Sequence, residues 1–281
     1  METVTIMPAD EVPQRDYVQA LNAAYADYYV PIYVTPHFFR EMLRRESIDI
    51  GASVAAVVGN EVVGTSLLGV RGPRGWIGGV GVVPGWRRQG IARLMMERVL
   101  ETAHSLDLSR IQLEVIDENA PAIHLYESLD FQATRTLFVM YCSKPQAEHP
   151  GHHPFDLNRI GPPLVRALRA LEQIPHPPDP WQREIASIKA MRGQTRAVLA
   201  SEQRELAGVC LYSGDTLGIG ILGLACHSPF TGQVLLAELF RRYPNAAYTY
   251  LNVPANDPQL PALEAMGFTV GVTQYEMVYY A

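Results

Sequence analysis

The residues Arg87-Arg88-Gln89-Gly90-Ile91-Ala92 stand between a short apolar run and a stretch of helical periodicity, and their chemistry is that of an anion site. The run before them, Trp76-Ile77-Gly78-Gly79-Val80-Gly81-Val82-Val83, suits a strand covered on both faces, and Pro84 and Gly85 stop it. After Gly90, apolar residues recur at Ile91, Leu94, Met95 and Val99, which is helical spacing. The first N–H groups of a helix lack intrahelical partners, and the macrodipole makes them electropositive. Gly90 lets a ligand come close to the backbone, and Ala92 keeps the first turn clear of bulk. Arg87 and Arg88 add positive charge. Together these suit a pyrophosphate. A plain glycine loop with two solvated arginines is the other reading.

The remaining chemistry-bearing residues are sparse. Cys142, Cys210 and Cys226 are odd in number and widely spaced, which suits reduced thiols. His149, His152 and His153 lie in a Pro-rich tract, but no cysteine or carboxylate constellation completes a metal site, so no metal is expected. The chain of 281 residues is long enough for two domains, and 48% hydrophobic with 19% charged residues fits a globular protein. A formal net charge of −6 argues against general nucleic-acid binding. The start lacks the build of a signal peptide, and no apolar run is long enough to span a membrane. A cytoplasmic location is the expectation.

The elements that would position the anion turn follow from periodicity. Thr3–Met7 alternates as a strand, and Val12–Tyr28 is helical in pattern. An aromatic-rich connection with Tyr25, Tyr28, Tyr29 and Tyr33 leads to a second helix over Phe38–Arg45. Ser53–Val58 and Glu61–Val70 form a hairpin turning at Gly59-Asn60. Beyond the anion-site helix come a strand at Arg110–Ile116, a helix opened by Asn119 as its N-cap, and a strand at Phe131–Tyr141.

Arg87-x-x-Gly90-x-Ala92 after Val80-x-Val82-Val83-Pro84 resembles the acetyl-CoA signature of the GNAT superfamily of N-acetyltransferases. Leu113-Glu114-Val115, Asn119, Ala122 and Leu125-Tyr126-Glu127-Ser128-Leu129-Asp130-Phe131 are similar to the family's second signature. Asp130 stands where the family has Gly, and Asp tolerates the left-handed helix end that this requires. The resemblance implies an acetyl group moved from acetyl-CoA to a primary amine of a small molecule or peptide in a ternary complex. It implies a cofactor site of Val80, Val82, Val83, Arg87, Arg88, Gln89, Gly90, Ile91, Ala92, Asn119, Ala122 and Tyr126. Backbone N–H groups of Val82 and Val83 would hold the thioester and pantetheine. Tyr126 would be the general acid toward the leaving thiolate. Glu114, twelve residues earlier, would be the base, as the same spacing in ribosomal-protein alanine N-acetyltransferases suggests; a water chain or a residue of the aromatic loop is the alternative. Tyr28, Tyr29, Tyr33, Phe38 and Trp76 would line the acceptor pocket. A non-catalytic acyl-CoA-binding module is the competing function.

The second half repeats the first with its chemistry removed. Aligning Gly232 with Gly90, an offset of 142, puts Pro229 at Arg87 and Val234 at Ala92; further on, an offset of 137 puts Leu263 at Tyr126. The expected fold is α/β with a mixed sheet: two GNAT-like domains, each a splayed, mostly antiparallel sheet flanked by helices. Residues 1–142 would be catalytic, 143–156 a linker and 157–281 a degenerate copy. The copy would wall the acceptor pocket or, through Tyr275–Tyr280, offer a homodimer face.

Overall fold

A computed structural model describes residues 3–30, 32–143, 145, 151–158 and 163–281. Strand β1 (Val4–Pro8) leads into α1 (Gln14–Ala24) and α2 (Pro36–Arg45). Helix α2 starts two residues before the expected Phe38 because Thr35 caps it, its Oγ1 accepting from the Phe38 N–H at 3.1 Å, with Pro36 in the first turn. Strands β2 (Ile48–Val58) and β3 (Glu61–Arg71) form the expected hairpin, with Gly59 at a φ of 58° in its turn. Strand β4 (Arg74–Val82) pairs antiparallel with β3. Helix α3 (Ile91–Ser105) then returns the chain to β5 (Arg110–Ile116), which lies parallel to β4. Helix α4 (Ala120–Glu127) opens on Asn119, whose side chain accepts from the Ala122 N–H at 3.3 Å. It closes at Asp130, which takes the left-handed φ of 64°.

Side-chain alternation decides what each face of this sheet covers. Val54, Ala56 and Val58 of β2 pack with Met95, Met96 and Val99 of α3. Their neighbours Ala55 and Val57 pack with Tyr17 and Leu21 of α1 and Phe39 of α2.

The second half repeats this order. After β6 (Gln132–Cys142) and β7 (Asp156–Asn158) come α5 (Leu164–Gln173) and α6 (Ile185–Ala190), then β8 (Arg196–Glu202), β9 (Glu205–Gly214) and β10 (Gly218–Cys226). Helix α7 (Pro229–Arg242), β11 (Ala247–Pro254), α8 (Leu260–Ala265) and β12 (Thr269–Tyr280) complete it. Strands β10 and β11 are parallel, as β4 and β5 are.

The division differs from a cut at residue 142. One compact unit holds the residues up to Thr134 together with Tyr275–Ala281; the other is Arg135–Gln274. In the first, the strand order is β1-β2-β3-β4-β5-β12. In the second it is β6-β11-β10-β9-β8-β7. The strand expected to close the first sheet, β6, therefore belongs from Arg135 onward to the second, and Tyr275–Tyr280 closes the first instead. Met277 is buried there, with Tyr275 and Tyr279 packed against the same core, so this run is part of the first unit's core. The physical reason is that one apolar strand satisfies an open sheet edge as well as another, and sequence order does not dictate which. Of the expected linker, residues 144 and 146–150, His149 among them, lie outside the described residues.

Candidate functional site

Strands β4 and β5 part company partway along. Their pairing ends at Ile77 and Leu113, although β4 runs on to Val82 and β5 to Ile116. The cause is a bulge on β4. Gly78 faces Leu67 but Gly81 faces Thr65, so β4 carries one residue more than β3 across this stretch, and Gly79 takes a φ of 61°. The bulged carbonyls are tied down: Thr65 Oγ1 donates to the Gly79 carbonyl at 2.8 Å and Tyr25 Oη to the Val80 carbonyl at 3.1 Å. A cavity of about 890 Å³ opens beside β4, with Tyr28, Val82, Arg88, Gly90, Asn119 and Tyr126 in its wall. Val80, Ile91, Ala92 and Ala122 line it as well. Val83 does not, because its N–H donates to the Val63 carbonyl at 2.9 Å and pairs β3 and β4. Successive N–H groups of a strand point to opposite edges, so the Val82 N–H faces the open side and is the one amide of the expected pair left for a ligand.

Helix α3 begins without a side-chain cap. Its N-cap is Gly90, at a φ of 80°, and Arg88 before it is left-handed too, at 65°. A β-carbon built on Gly90 meets nothing within 4 Å, so the helix start looks into empty space. Uncapped amides, a dipole end and open space are what an anion needs. Exposed Arg88 and Arg93 supply charge, and Gln89 is exposed outside the cavity wall. The size, the largely apolar wall and the electropositive helix start fit acetyl-CoA. Arg87 behaves otherwise. Its Nη1 and Nη2 donate to the two carboxylate oxygens of Asp27, each at 2.7 Å. Nη2 also donates to the Ala24 carbonyl and Nε to the Val82 carbonyl, both at 3.0 Å. The hydrogen bonds from Arg87 hold the Asp27 carboxyl below its usual range.

Tyr126 is buried within the cavity wall. Burial pushes its phenol well above the ordinary range, with Tyr28 adding to the shift, so it keeps its proton at neutral pH. Tyr25, Tyr28 and Tyr29 form an edge-to-face row, with centroids 4.8 and 5.4 Å apart. Tyr29 Oη donates to the Glu118 carbonyl at 3.1 Å. Glu114 stands one residue past the last β4–β5 pair, where the strands part, and its Oε2 accepts from the indole N–H of Trp76 at 2.7 Å. A β-carbon on Gly78 would lie 2.1 Å from the Trp76 ring, so Gly78 is what lets that ring lie flat over the strand. Neither Glu114 nor Trp76 is in the wall of this cavity. Tyr33, at 79% exposure, and Phe38, under Arg45, lie outside it too. Thus Tyr28 and Tyr29 are the expected acceptor residues that reach the wall. Sequence reasoning placed Tyr25 in the aromatic connection without a role and did not single out Asp27; their roles depend on partners 55 and 60 residues away, and no local pattern encodes them.

The second unit closes each of these openings with its own side chains. Ser228 caps α7, its Oγ accepting from the Thr231 N–H at 3.2 Å. The equivalent of Gly90 is thus Ser228, and the expected pairing with Gly232 is off by one helical turn. Gly232 lies under Gln259, whose Oε1 would be 2.5 Å from a β-carbon there. Where β10 and β11 part after Ile221 and Tyr250, the Tyr250 hydroxyl accepts from the Leu224 N–H at 3.1 Å. Among the described residues, no group of three or more His, Cys, Asp or Glu side chains is placed to hold a metal ion, and no helix is long and apolar enough to cross a membrane.

Residues 18–131 match the sequence model of the acetyltransferase (GNAT) family. Among solved structures, a GCN5-related N-acetyltransferase from Sphaerobacter thermophilus is 18% identical, with 99% of this chain and 95% of that one aligned at a TM-score of 0.74. A tandem GNAT protein from the clavulanic acid biosynthesis pathway is 17% identical, with 99% and 98% aligned at 0.72. A glucosamine N-acetyltransferase region of a fungal multi-domain β-N-acetylglucosaminidase aligns at 0.76 with 13% identity, covering 99% of this chain and 38% of that one. These similarities show the fold over the whole length. The segment that resembles the acetyltransferase (GNAT) family, residues 18–131, holds the bulged strand, the uncapped helix start and Tyr126.

Proposed function

We propose that the first unit moves an acetyl group from acetyl-CoA to a primary amine of a small molecule or peptide, with both substrates bound together. The observation that carries this reading is Tyr126, a buried phenol in the wall of a cavity that also holds an uncapped helix start. Acetyl-CoA would supply the acyl thioester. The amides at Gly90–Ala92 would hold its pyrophosphate, with Val80, Val82, Asn119 and Ala122 along its length. Tyr126 serves as the proton donor at the leaving sulfur. Glu114, held by Trp76, serves as the acceptor of the amine proton. An amine with a pKa of about 10.4 must shed that proton before it can attack at neutral pH.

The test is a panel of primary amines and amino-terminal peptides screened for thiol release from acetyl-CoA, followed by product mass. Acetylated amine from the wild type, lost in Tyr126→Phe, supports the reading. CoA binding with no acetyl transfer to any amine would favour the non-catalytic module. Location in the cytoplasm remains part of the proposal, consistent with three buried thiols.

A further inference from the structure

Arg87 occupies the signature position of an anion ligand, yet its donors are already committed. A guanidinium has five N–H donors, and four hydrogen bonds leave this one from Nε, Nη1 and Nη2. They reach three residues in two segments. Ala24 is the last residue of α1, so its carbonyl is one of the unsatisfied groups at a helix C-terminus, where a cation is favoured. Asp27 lies in the turn beyond, held by a two-pronged contact that lysine cannot reproduce. Val82 lies on the bulged end of β4. The turn so held carries Tyr28 and Tyr29, two residues of the cavity wall. Asp27 also neutralises the charge that Arg87 would bring to a phosphate, leaving attraction to the helix start and Arg88.

We infer that Arg87 is a positioning residue that clamps the Ala24–Tyr29 turn to strand β4 and so sets the acceptor wall, and that it is not a pyrophosphate ligand. The inference rests on the reading of the cavity as a CoA site, but its first readout does not need that reading. Amide hydrogen exchange over Ala24–Tyr29 is measured on the full chain for Asp27→Ala, Arg87→Lys, Arg87→Ala and the Arg87→Ala/Asp27→Ala double variant. Calorimetry with CoA is run on the same proteins.

A clamp predicts that every variant speeds exchange in this turn by about 10-fold or more, the double no further than the singles, with the core strands unchanged. It predicts that CoA affinity stays within about 3-fold throughout. An anion ligand predicts the reverse. Arg87→Ala would cost about 10- to 100-fold in CoA affinity, as a lost charge-assisted hydrogen bond does, Arg87→Lys would restore part of it, and Asp27→Ala would tighten binding by releasing Arg87. That pattern, or slow exchange retained in Asp27→Ala, overturns the inference. If the wild type does not bind CoA, the proposed function fails, and exchange alone decides the clamp.

Discussion

Tyr126 is where a single atom has the largest expected consequence. Tyr126→Phe removes one hydroxyl and keeps the ring that packs near Phe131 at 6.1 Å. Turnover should fall by about 10²- to 10⁴-fold while CoA affinity by calorimetry stays put. A wild-type rate would reassign the residue to packing. Glu114→Gln keeps the shape and an acceptor for the Trp76 N–H but removes the basic oxygen. Most of the rate should disappear; an unchanged rate would move the base to a water chain. Tyr126, Gly90 and Asn119 were legible in sequence because each follows from a local pattern: a motif, a turn, a cap. The partners of Arg87 and Glu114 were not, because those contacts join positions 60 and 38 residues apart.

Helix α3 and helix α7 are the same element with opposite starts. One begins on a glycine with no capping side chain and open space before it; the other is capped by Ser228. Two consequences follow. CoA should titrate to one equivalent per chain in calorimetry, and two equal sites would contradict the reading of the second unit. Gly90→Glu should weaken CoA by about 100-fold or more, since a like charge against a phosphate costs several kcal/mol and the left-handed backbone resists a β-carbon. Unchanged affinity in a folded variant would place the phosphates elsewhere. The repeat of strand and helix was visible from apolar periodicity, but its register was not. Gly232 resembled Gly90 by type, whereas the cap, set by which hydroxyl reaches the first-turn amides, lies one turn earlier.

Tyr17, Tyr126 and Tyr250 are each buried, and burial raises each phenol above the ordinary value near 10. A raised folded pKa favours the native state below the unfolded value and loses that advantage as pH climbs above it. Above pH 10 each such tyrosine should therefore cost about 1.4 kcal/mol of stability per pH unit. Urea midpoints between pH 9 and 12 should fall steeply, and tyrosinate absorbance from these rings should appear only with unfolding. A flat midpoint would mean that the rings ionise in place. The fold class was plain from sequence, while the ownership of the closing strands was hidden, since β6 and β12 are both apolar and either could complete a sheet. That ownership has a consequence in time. The first unit is finished by Tyr275–Tyr280, which a ribosome adds long after β5. At about 5–20 residues per second, the edge of β5 waits roughly 10–30 s after its own synthesis for its neighbour. A nascent chain stalled midway should expose that edge to chaperones and proteases, and the residues up to Thr134 should become protease-resistant only once Tyr275–Tyr280 has emerged.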